Sequence, residues 1–561
     1  MSYSNIRRIL ALVLILLLIL AGCQSKPAVE VQPRIKLAVI IAVDQLGQDL
    51  IDRYGHLFGE GGIKKMMVGG AWFSDCNYSH AATQTGPGHS IIGSGCNPAK
   101  TGIVANSWKL PDGDDWMYCV GSTNSKEVDN SGVTETPASS PENLQVNSLG
   151  DYLRSVTNGE AKVVSMSLKD RAAILMGGHV ANEVTWWRNN TGDFVTSTYY
   201  ADSLPKWCSE YNTQRYVDEF FHRTWDRLLP LDAYRICDDD TASYETGNKG
   251  NLTNTLPKII GESSETPDNN FYSALGNSPF GNDILIELAK RAIKQEKLGR
   301  DTIPDILWIS LSSNDRCGHL FGPQSHEILD LTARTDRQVA DLLRYLDETI
   351  GLESCVVALT GDHGVCMAPE SKLNKDKVGG RLDFQQMRID LHRELKQRFL
   401  FQLDENEWIV PGLGIPWLYL DDKTIARKHL NPDSLLPAII EIIEGMDGIE
   451  RVLDTRSLET ISRIDDDNLR SRIQQNFWPG ASGQLYMHVK FGWTGNSICV
   501  NHGTCHGYDT HVPLIFFGAP FKQGRYVEGV DPTDLVPTIA KALNLPPLEN
   551  VDGEVLTVCM K

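Results

Sequence analysis

The chain has 561 residues, 41% of them hydrophobic and 22% charged, with 48 Gly and 26 Pro. That profile excludes collagen, a coiled coil, a disordered acidic polymer and a small disulfide-stapled scaffold. With 53 Lys and Arg against 72 Asp and Glu, the formal charge is −19, which argues against a general nucleic-acid surface (no duplex binding is expected), because phosphate neutralisation needs clustered cations.

The N-terminal segment reads as targeting sequence. Arg7 and Arg8 form a positive start, Ile9 to Ala21 is an apolar run of 13 residues, and Leu20-Ala21-Gly22-Cys23 closes it. The run is short for a transmembrane helix, which needs about 20 residues. Its ending resembles a bacterial lipobox, so residues 1–22 are expected to be a lipoprotein signal peptide. Residues 23–34 then form a tether lipidated at Cys23 and anchored to a membrane. The body of the protein is expected in the bacterial cell envelope, in the periplasm or on the outer surface. Without Cys23, 11 of the 12 cysteines remain, an odd number in a compartment that permits disulfides.

Residues 35–561 read as one catalytic domain. Ile35 to Val43 is almost wholly apolar and rich in branched side chains, the pattern of a parallel strand buried on both faces, and it ends at Asp44. Thr85-Gly86-Pro87 then enters an apolar run and predicts a helix with Thr85 at or near its N-cap. Exposed N–H groups there favour an anion. Asn106 lies on the loop that follows. Val163 to Leu168 is a second apolar strand, running into Lys169 and Arg171; two cations spaced i, i+2 on an extended segment share one side, and a guanidinium can grip phosphate oxygens bidentately.

Asn282-Asp283 reads as the cap of a helix carrying Ile284, Leu285, Leu288, Ala289, Ala292 and Ile293, and Leu329 to Leu346 has a similar period. Ile306 to Leu311 runs towards Asp315-Arg-Cys-Gly-His319, and Cys355 to Leu359 towards Asp362-His363-Gly364. His506-Gly507-Tyr508-Asp509 precedes the apolar Leu514 to Phe517. Stretches at about 107–159, 177–281 and 368–500 break this rhythm and read as cap insertions. In the second of them, Trp186, Trp187, Tyr199 and Tyr200 either stack on a leaving group or form cap core.

Alternating strand and helix predicts an α/β fold, a doubly wound, mainly parallel sheet sandwiched by helices. The four apolar strands are expected as neighbours, each delivering polar residues at its carboxyl end, where open α/β sheets bind ligands. Asp44, Asp315, Asp362, His319, His363 and His506 make three carboxylates and three imidazoles, a donor set suited to zinc. Cys317 and Cys505 lie inside these motifs and are read as space-filling, since the Asp/His set is complete without them. Cys96-Asn-Pro-Ala-Lys100 is similar to the sulfatase Cys-x-Pro-x-Arg signature but departs at its last position, and it follows the Thr85 helix instead of occupying the nucleophile position.

The ordered set Val43-Asp44-Gln45, Thr85-Gly-Pro-Gly-His89, Asn106-Ser-Trp108, Ser167-Leu-Lys-Asp-Arg171, Asp315-x-x-Gly-His319, Asp362-His363-Gly364 and Gly503-Thr-Cys-His506 resembles the alkaline phosphatase superfamily. The match is nearest to its threonine-nucleophile bacterial alkaline phosphatases (PafA type) and runs over about residues 36–550. The resemblance implies two zinc ions (Zn2+) per chain, one held by Asp315, His319 and His506, the other by Asp44, Asp362 and His363 with Thr85. It implies a phosphothreonine intermediate at Thr85, with Asn106, Lys169 and Arg171 on the non-bridging phosphate oxygens, and small phosphorylated substrates cleaved as phosphate monoesters. A zinc ion can lower the pKa of a bound hydroxyl, and two cations can neutralise a dianionic terminal phosphate. The alternatives are a phosphodiesterase or nucleotide pyrophosphatase of the same superfamily, and a catalytically silent lipoprotein that binds phosphorylated ligands.

Overall fold

The computed structural model describes residues 34–110, 116–246, 252–403 and 407–561. The segment read as a signal peptide, Cys23 and the expected tether up to residue 33 lie outside the described residues.

Eleven strands form the main sheet. In chain order they are β1 (Leu37–Val43), β2 (Ala71–Asn77), β3 (Lys126–Asp129), β4 (Gly132–Pro137), β5 (Val163–Ser167), β6 (Glu183–Arg188), β7 (Asp193–Ser197), β8 (Asp305–Leu311), β9 (Cys355–Thr360), β10 (His511–Gly518) and β11 (Gly524–Tyr526). The sheet order is β11-β2-β10-β9-β1-β8-β5-β6-β7-β3-β4. Strands β9, β1, β8, β5 and β6 are consecutive and parallel, so the four apolar strands expected as neighbours are neighbours. β10 runs antiparallel to β9, and β7 antiparallel to β6.

The near-continuous apolar composition of β1 has a direct cause. Leu37, Val39, Ile41 and Val43 enter one hydrophobic core, while Ala38, Ile40 and Ala42 enter another on the opposite face. The first core is closed by α3 (Pro279–Gln295) and α4 (His326–Thr349), the second by α1 (Thr85–Ser94), α2 (Asp170–Gly177) and α5 (Leu535–Ala542). Helices thus cover both faces, as a parallel sheet requires.

Helix α3 starts earlier than its sequence suggests. Ser278 is the N-cap and Pro279 the first helical residue, a position where the missing N–H costs nothing. Asn282 is instead buried inside the helix, donating to Asn314 at 3.2 Å.

The three stretches read as a cap behave differently from one another. Residues 368–500 contain a separate four-stranded sheet, including Trp417–Tyr419 and Leu485–Val489, with its own apolar core. In the other two, β3, β4, β6 and β7 lengthen the main sheet instead of covering it. The reason is visible in β6: Trp186 packs into one core and Trp187 into the other, a two-sided burial that only a sheet strand provides. Both tryptophans are therefore sheet core and unavailable to a leaving group. The eleven described cysteines are all free thiols, and no helix among the described residues is long and apolar enough to cross a membrane.

A carboxyl at the start of β6 gives the fold an alkaline sensitivity. Burial, followed by the charge of Glu296, pushes Glu183 up to about 8. The folded chain therefore keeps a proton that the unfolded chain loses above its ordinary pKa of 4.5. Stability contributed by this group falls as pH rises from that value through about 8, because the folded state binds more protons over that window. Glu183→Gln removes the titration while an amide oxygen can still accept from Trp207 Nε1, which lies 2.9 Å from Glu183. Melting temperatures at pH 5 and pH 9 should show the variant gaining on wild type at the higher pH; a constant difference would contradict the assignment.

Candidate metal and phosphate site

The carboxyl ends of β1, β9, β8 and β5 converge on one buried cluster. Asp44 follows β1 directly, and its N–H donates to Leu311 O at 3.1 Å, tying it to the end of β8. Asp362 and His363 follow β9. Asp44, Asp362 and His363 offer donor atoms within 4.8 Å of one another, and Asp315, His363 and His502 form a second such group. All are buried.

The histidine tautomers are set by backbone carbonyls. The Nδ1 of His363 faces Gly364 O at 2.9 Å, that of His319 faces Val500 O at 2.8 Å, and that of His502 faces Thr83 O at 2.8 Å. A carbonyl only accepts, so each Nδ1 carries a hydrogen and Nε2 is the ring nitrogen left to take a cation. Those three Nε2 atoms point at carboxylates: His363 lies 3.3 Å from Asp362 Oδ2, while His319 and His502 lie 3.1 and 3.5 Å from Asp315 Oδ1. The rings of His363 and His502 stack with centroids 3.6 Å apart.

Whether these residues suit a cation is tested by their unmet bonding capacity. Both carboxylate oxygens of Asp44, Oδ2 of Asp362 and Nε2 of His363 are buried with no hydrogen-bond partner among the described residues. Asp44 Oδ2 has the Lys169 ammonium at 2.5 Å, a close charge contact without hydrogen-bond alignment. Burial and the neighbouring Asp362 push Asp44 up to about 6 despite Lys169. Burial, then His502, hold His363 well below the ordinary imidazole range, so its ring is neutral. Buried lone pairs on oxygen and imidazole nitrogen, unmatched by donors, are the donor set that fits a zinc-type ion.

Burial also acts against the Asp315 carboxylate, but His319 and Lys169 outweigh it and keep its pKa well below the usual range. Gln45, whose significance the sequence concealed, links the two groups. It is buried, adopts a left-handed backbone (φ 66°), donates its N–H to Asp362 Oδ1 at 3.0 Å and its Nε2 to Asp315 Oδ1 at 2.7 Å. Gly318 makes room for it: a Cβ there would stand 1.8 Å from Gln45 Oε1.

Thr85 stands at the mouth of α1. The N-cap is Gln84 and Thr85 is the first helical residue, so its hydroxyl is free of capping duty. Lys169 Nζ and Arg171 Nη2 each lie 3.4 Å from Thr85 Oγ1. They converge without sharing an extended segment, since Lys169 is the N-cap of α2 and Arg171 lies within its first turn. Asn106 Oδ1 accepts from Gly86 N at 2.7 Å, which places its amide group against the same helix start. Gly88 permits the close packing, for a Cβ there would fall 2.4 Å from Asp362 O. His89 bridges the two parts, with Nδ1 2.9 Å from Thr85 O and 3.2 Å from Asp362 Oδ2. Tyr118 is a further member absent from the sequence reading: its hydroxyl donates to Asp170 at 2.6 Å and accepts from Arg171 at 3.3 Å.

His506 is the one expected ligand placed elsewhere. Its Nε2 faces Val489 O at 2.8 Å and is thereby committed as a donor, and its ring packs among His488, Phe491 and Tyr508. His502 takes the place expected for it. The loop is turned by Asp509, whose carboxylate accepts from Gly503 N, Thr504 N and Thr504 Oγ1 at 3.1, 2.8 and 2.7 Å. Cys505 lies beside His488 and Tyr486. Cys96 points at Asn550 O from a separate part of the fold.

Known proteins resemble the chain over most of its length. Residues 38–509 match the family model described as type I phosphodiesterase / nucleotide pyrophosphatase. The alkaline phosphatase PhoV of Synechococcus elongatus is 32% identical over 553 residues, covering 96% of this chain and 97% of PhoV. A Myroides odoratus protein named calcium-transporting ATPase is 32% identical over 515 residues, covering 91% of this chain and 92% of its own. The crystal structure of wild-type alkaline phosphatase PafA superimposes with a TM-score of 0.86 at 29% identity, covering 94% of this chain and 99% of that one. The chain belongs to the type I phosphodiesterase / nucleotide pyrophosphatase family, within the alkaline phosphatase superfamily.

Proposed function

We propose that this protein is a metal-dependent phosphate-monoester hydrolase, an alkaline phosphatase, acting through a covalent phosphate on Thr85. The observation that carries the reading is the convergence of Lys169 Nζ and Arg171 Nη2 on Thr85 Oγ1, 3.4 Å each, beside the Asp44 and Asp362 carboxylates and the His363 imidazole with unmet lone pairs. Two cations around one hydroxyl make a pocket for a dianionic terminal phosphate. The names of PhoV and PafA support the same activity.

Two zinc ions fit the donors: Asp44, Asp362 and His363 beside Thr85, and Asp315, His319 and His502 next to them. Such ions would lower the pKa of the threonine hydroxyl and stabilise charge on the leaving oxygen. The chain's own residues do the rest. Thr85 Oγ1 forms a bond to phosphorus as the ester P–O bond breaks, and the threonine proton leaves, in net terms, with the departing alcohol. Water then attacks the phosphothreonine, restoring the hydroxyl and releasing orthophosphate. Lys169, Arg171 and Asn106 hold the non-bridging oxygens through both steps. Leu20 to Cys23 further supports a lipid-anchored protein of the bacterial envelope. Cys23→Ser should move the protein from the membrane fraction to the soluble fraction, and an unchanged distribution would refute the anchor.

The monoester reading is tested at Lys169 and Arg171. A monoester dianion has one more charged oxygen than a diester, and that oxygen needs a partner once water is excluded. Lys169→Ala/Arg171→Ala should cost roughly 30- to 1000-fold in kcat/KM for a monoester and little for its methyl diester. Lys169 also contacts Asp44 and Asp315 at 2.5 Å, so Arg171→Ala alone, with metal content measured, separates phosphate recognition from support of the metal ligands. Equal losses on both esters would overturn the monoester assignment.

A further inference from the structure

We propose that a groove next to Thr85 is the binding site for the alcohol portion of the substrate, and that it accepts an uncharged aromatic ring. The inference rests on the phosphomonoesterase reading above and adds a substrate class to it. The groove encloses a cavity of about 160 Å³, the size of a single ring system, and its walls include Gln84, Ser107, Trp116, Leu413, Ile415 and Tyr419. Among the described residues that line it none is ionisable in the physiological range, so they offer nothing to pair with a second phosphate or a carboxylate on the substrate.

Its position follows from chain continuity with the reacting groups. Gln84 immediately precedes Thr85, and its side chain fixes two borders of the groove, accepting from Asn106 N at 2.8 Å and donating to Ile415 O at 3.3 Å. Ala105 and Ser107 flank Asn106 on the lining. On the third side lies Gly503, adjacent to His502, where a Cβ would stand 3.5 Å from Gln84 and 3.8 Å from Ile415. The lining residues Gln84, Ala105 and Ser107 are thus the immediate chain neighbours of Thr85 and Asn106, and the proposal seats the alcohol portion of the ester against them.

The wall that would meet a ring is Trp116. It is 49% exposed, unusual for a tryptophan, and is held in place rather than left free. Its ring lies edge-on to Tyr419 with centroids 5.2 Å apart, over Gly412, where a Cβ would fall 2.6 Å from the indole. A fixed, half-exposed indole beside an uncharged cavity is a stacking platform for an aromatic ring.

The test compares benzyl phosphate with ethyl phosphate, esters of alcohols with similar acidity, on the zinc-loaded full chain and on Trp116→Ala. The variant should lose about tenfold in kcat/KM for benzyl phosphate, mostly through KM, and stay within about twofold for ethyl phosphate. Calorimetric binding of benzylphosphonate, which cannot be hydrolysed, should weaken by a similar factor. Parallel losses on both esters, or no loss on benzyl phosphate, would overturn the proposal. If wild type cleaved neither ester yet bound benzylphosphonate through Trp116, the groove would stand and the hydrolase reading would fall.

Discussion

Thr85→Ala is expected to eliminate the covalent intermediate and lower kcat by roughly three orders of magnitude or more, while Thr85→Ser keeps substantial activity. The asymmetry has a structural basis. Among the described residues Thr85 Oγ1 has only the Lys169 and Arg171 donors near it, at 3.4 Å each, and makes no bond that holds the helix start together. The backbone does that work, through Gly88 N to Gln84 O and Gly86 N to Asn106 Oδ1. Removing the hydroxyl should therefore leave the fold and metal content intact while deleting the attacking atom. Thr83 supplies the control, since its hydroxyl donates to Thr504 O at 2.6 Å while its carbonyl accepts from His502. Thr83→Ala deletes the first contact and preserves the second, so its loss should be modest. Acid-quenched protein incubated with a monoester should show added phosphate on wild type and none on Thr85→Ala. A dead Thr83→Ala beside an active Thr85→Ala would mean that the nucleophile has been misassigned.

What could be read from the sequence was the part written in local chemistry. Ile35 to Val43 announces a strand buried on both faces because each of its alternate side chains meets a different core, and Asp44, Asp362 and Asp315 announce themselves by following such strands. The capping details were less legible. A hydroxyl before Gly-Pro looks like an N-cap, yet Gln84 holds that position, because its side chain is needed by Asn106 and Ile415. Strands β6 and β7 were hidden for a different reason: polar and aromatic residues look like a cap until it is known that β6 pairs parallel with β5 and β7 antiparallel with β6. Gln45 and Tyr118 act through contacts across 270 and 53 positions of chain, and no local pattern encodes those.

His502→Ala is expected to lose one of two bound metal equivalents and at least about 100-fold in kcat/KM, whereas His506→Ala should retain both metals and most activity. The sequence offers two histidines four residues apart, each followed by glycine, and nothing local distinguishes them. The decision is made by where each ring nitrogen is committed. His506 spends its Nε2–H on Val489 O, so a cation would have to displace a backbone hydrogen bond to reach it. His502 spends Nδ1–H on Thr83 O and leaves Nε2 facing Asp315. Burial disfavours a proton there, but Asp315 more than compensates and raises the His502 pKa, so in the metal-free protein a proton and a cation compete for the same lone pair. Metal uptake at this site should therefore release protons and strengthen as pH rises. Zinc titrations of both variants, with proton release followed in parallel, decide the matter. Loss of metal from His506→Ala with full retention by His502→Ala would show that the loop after Asn501 rearranges on binding, and that the Asp315 group is completed by the other histidine.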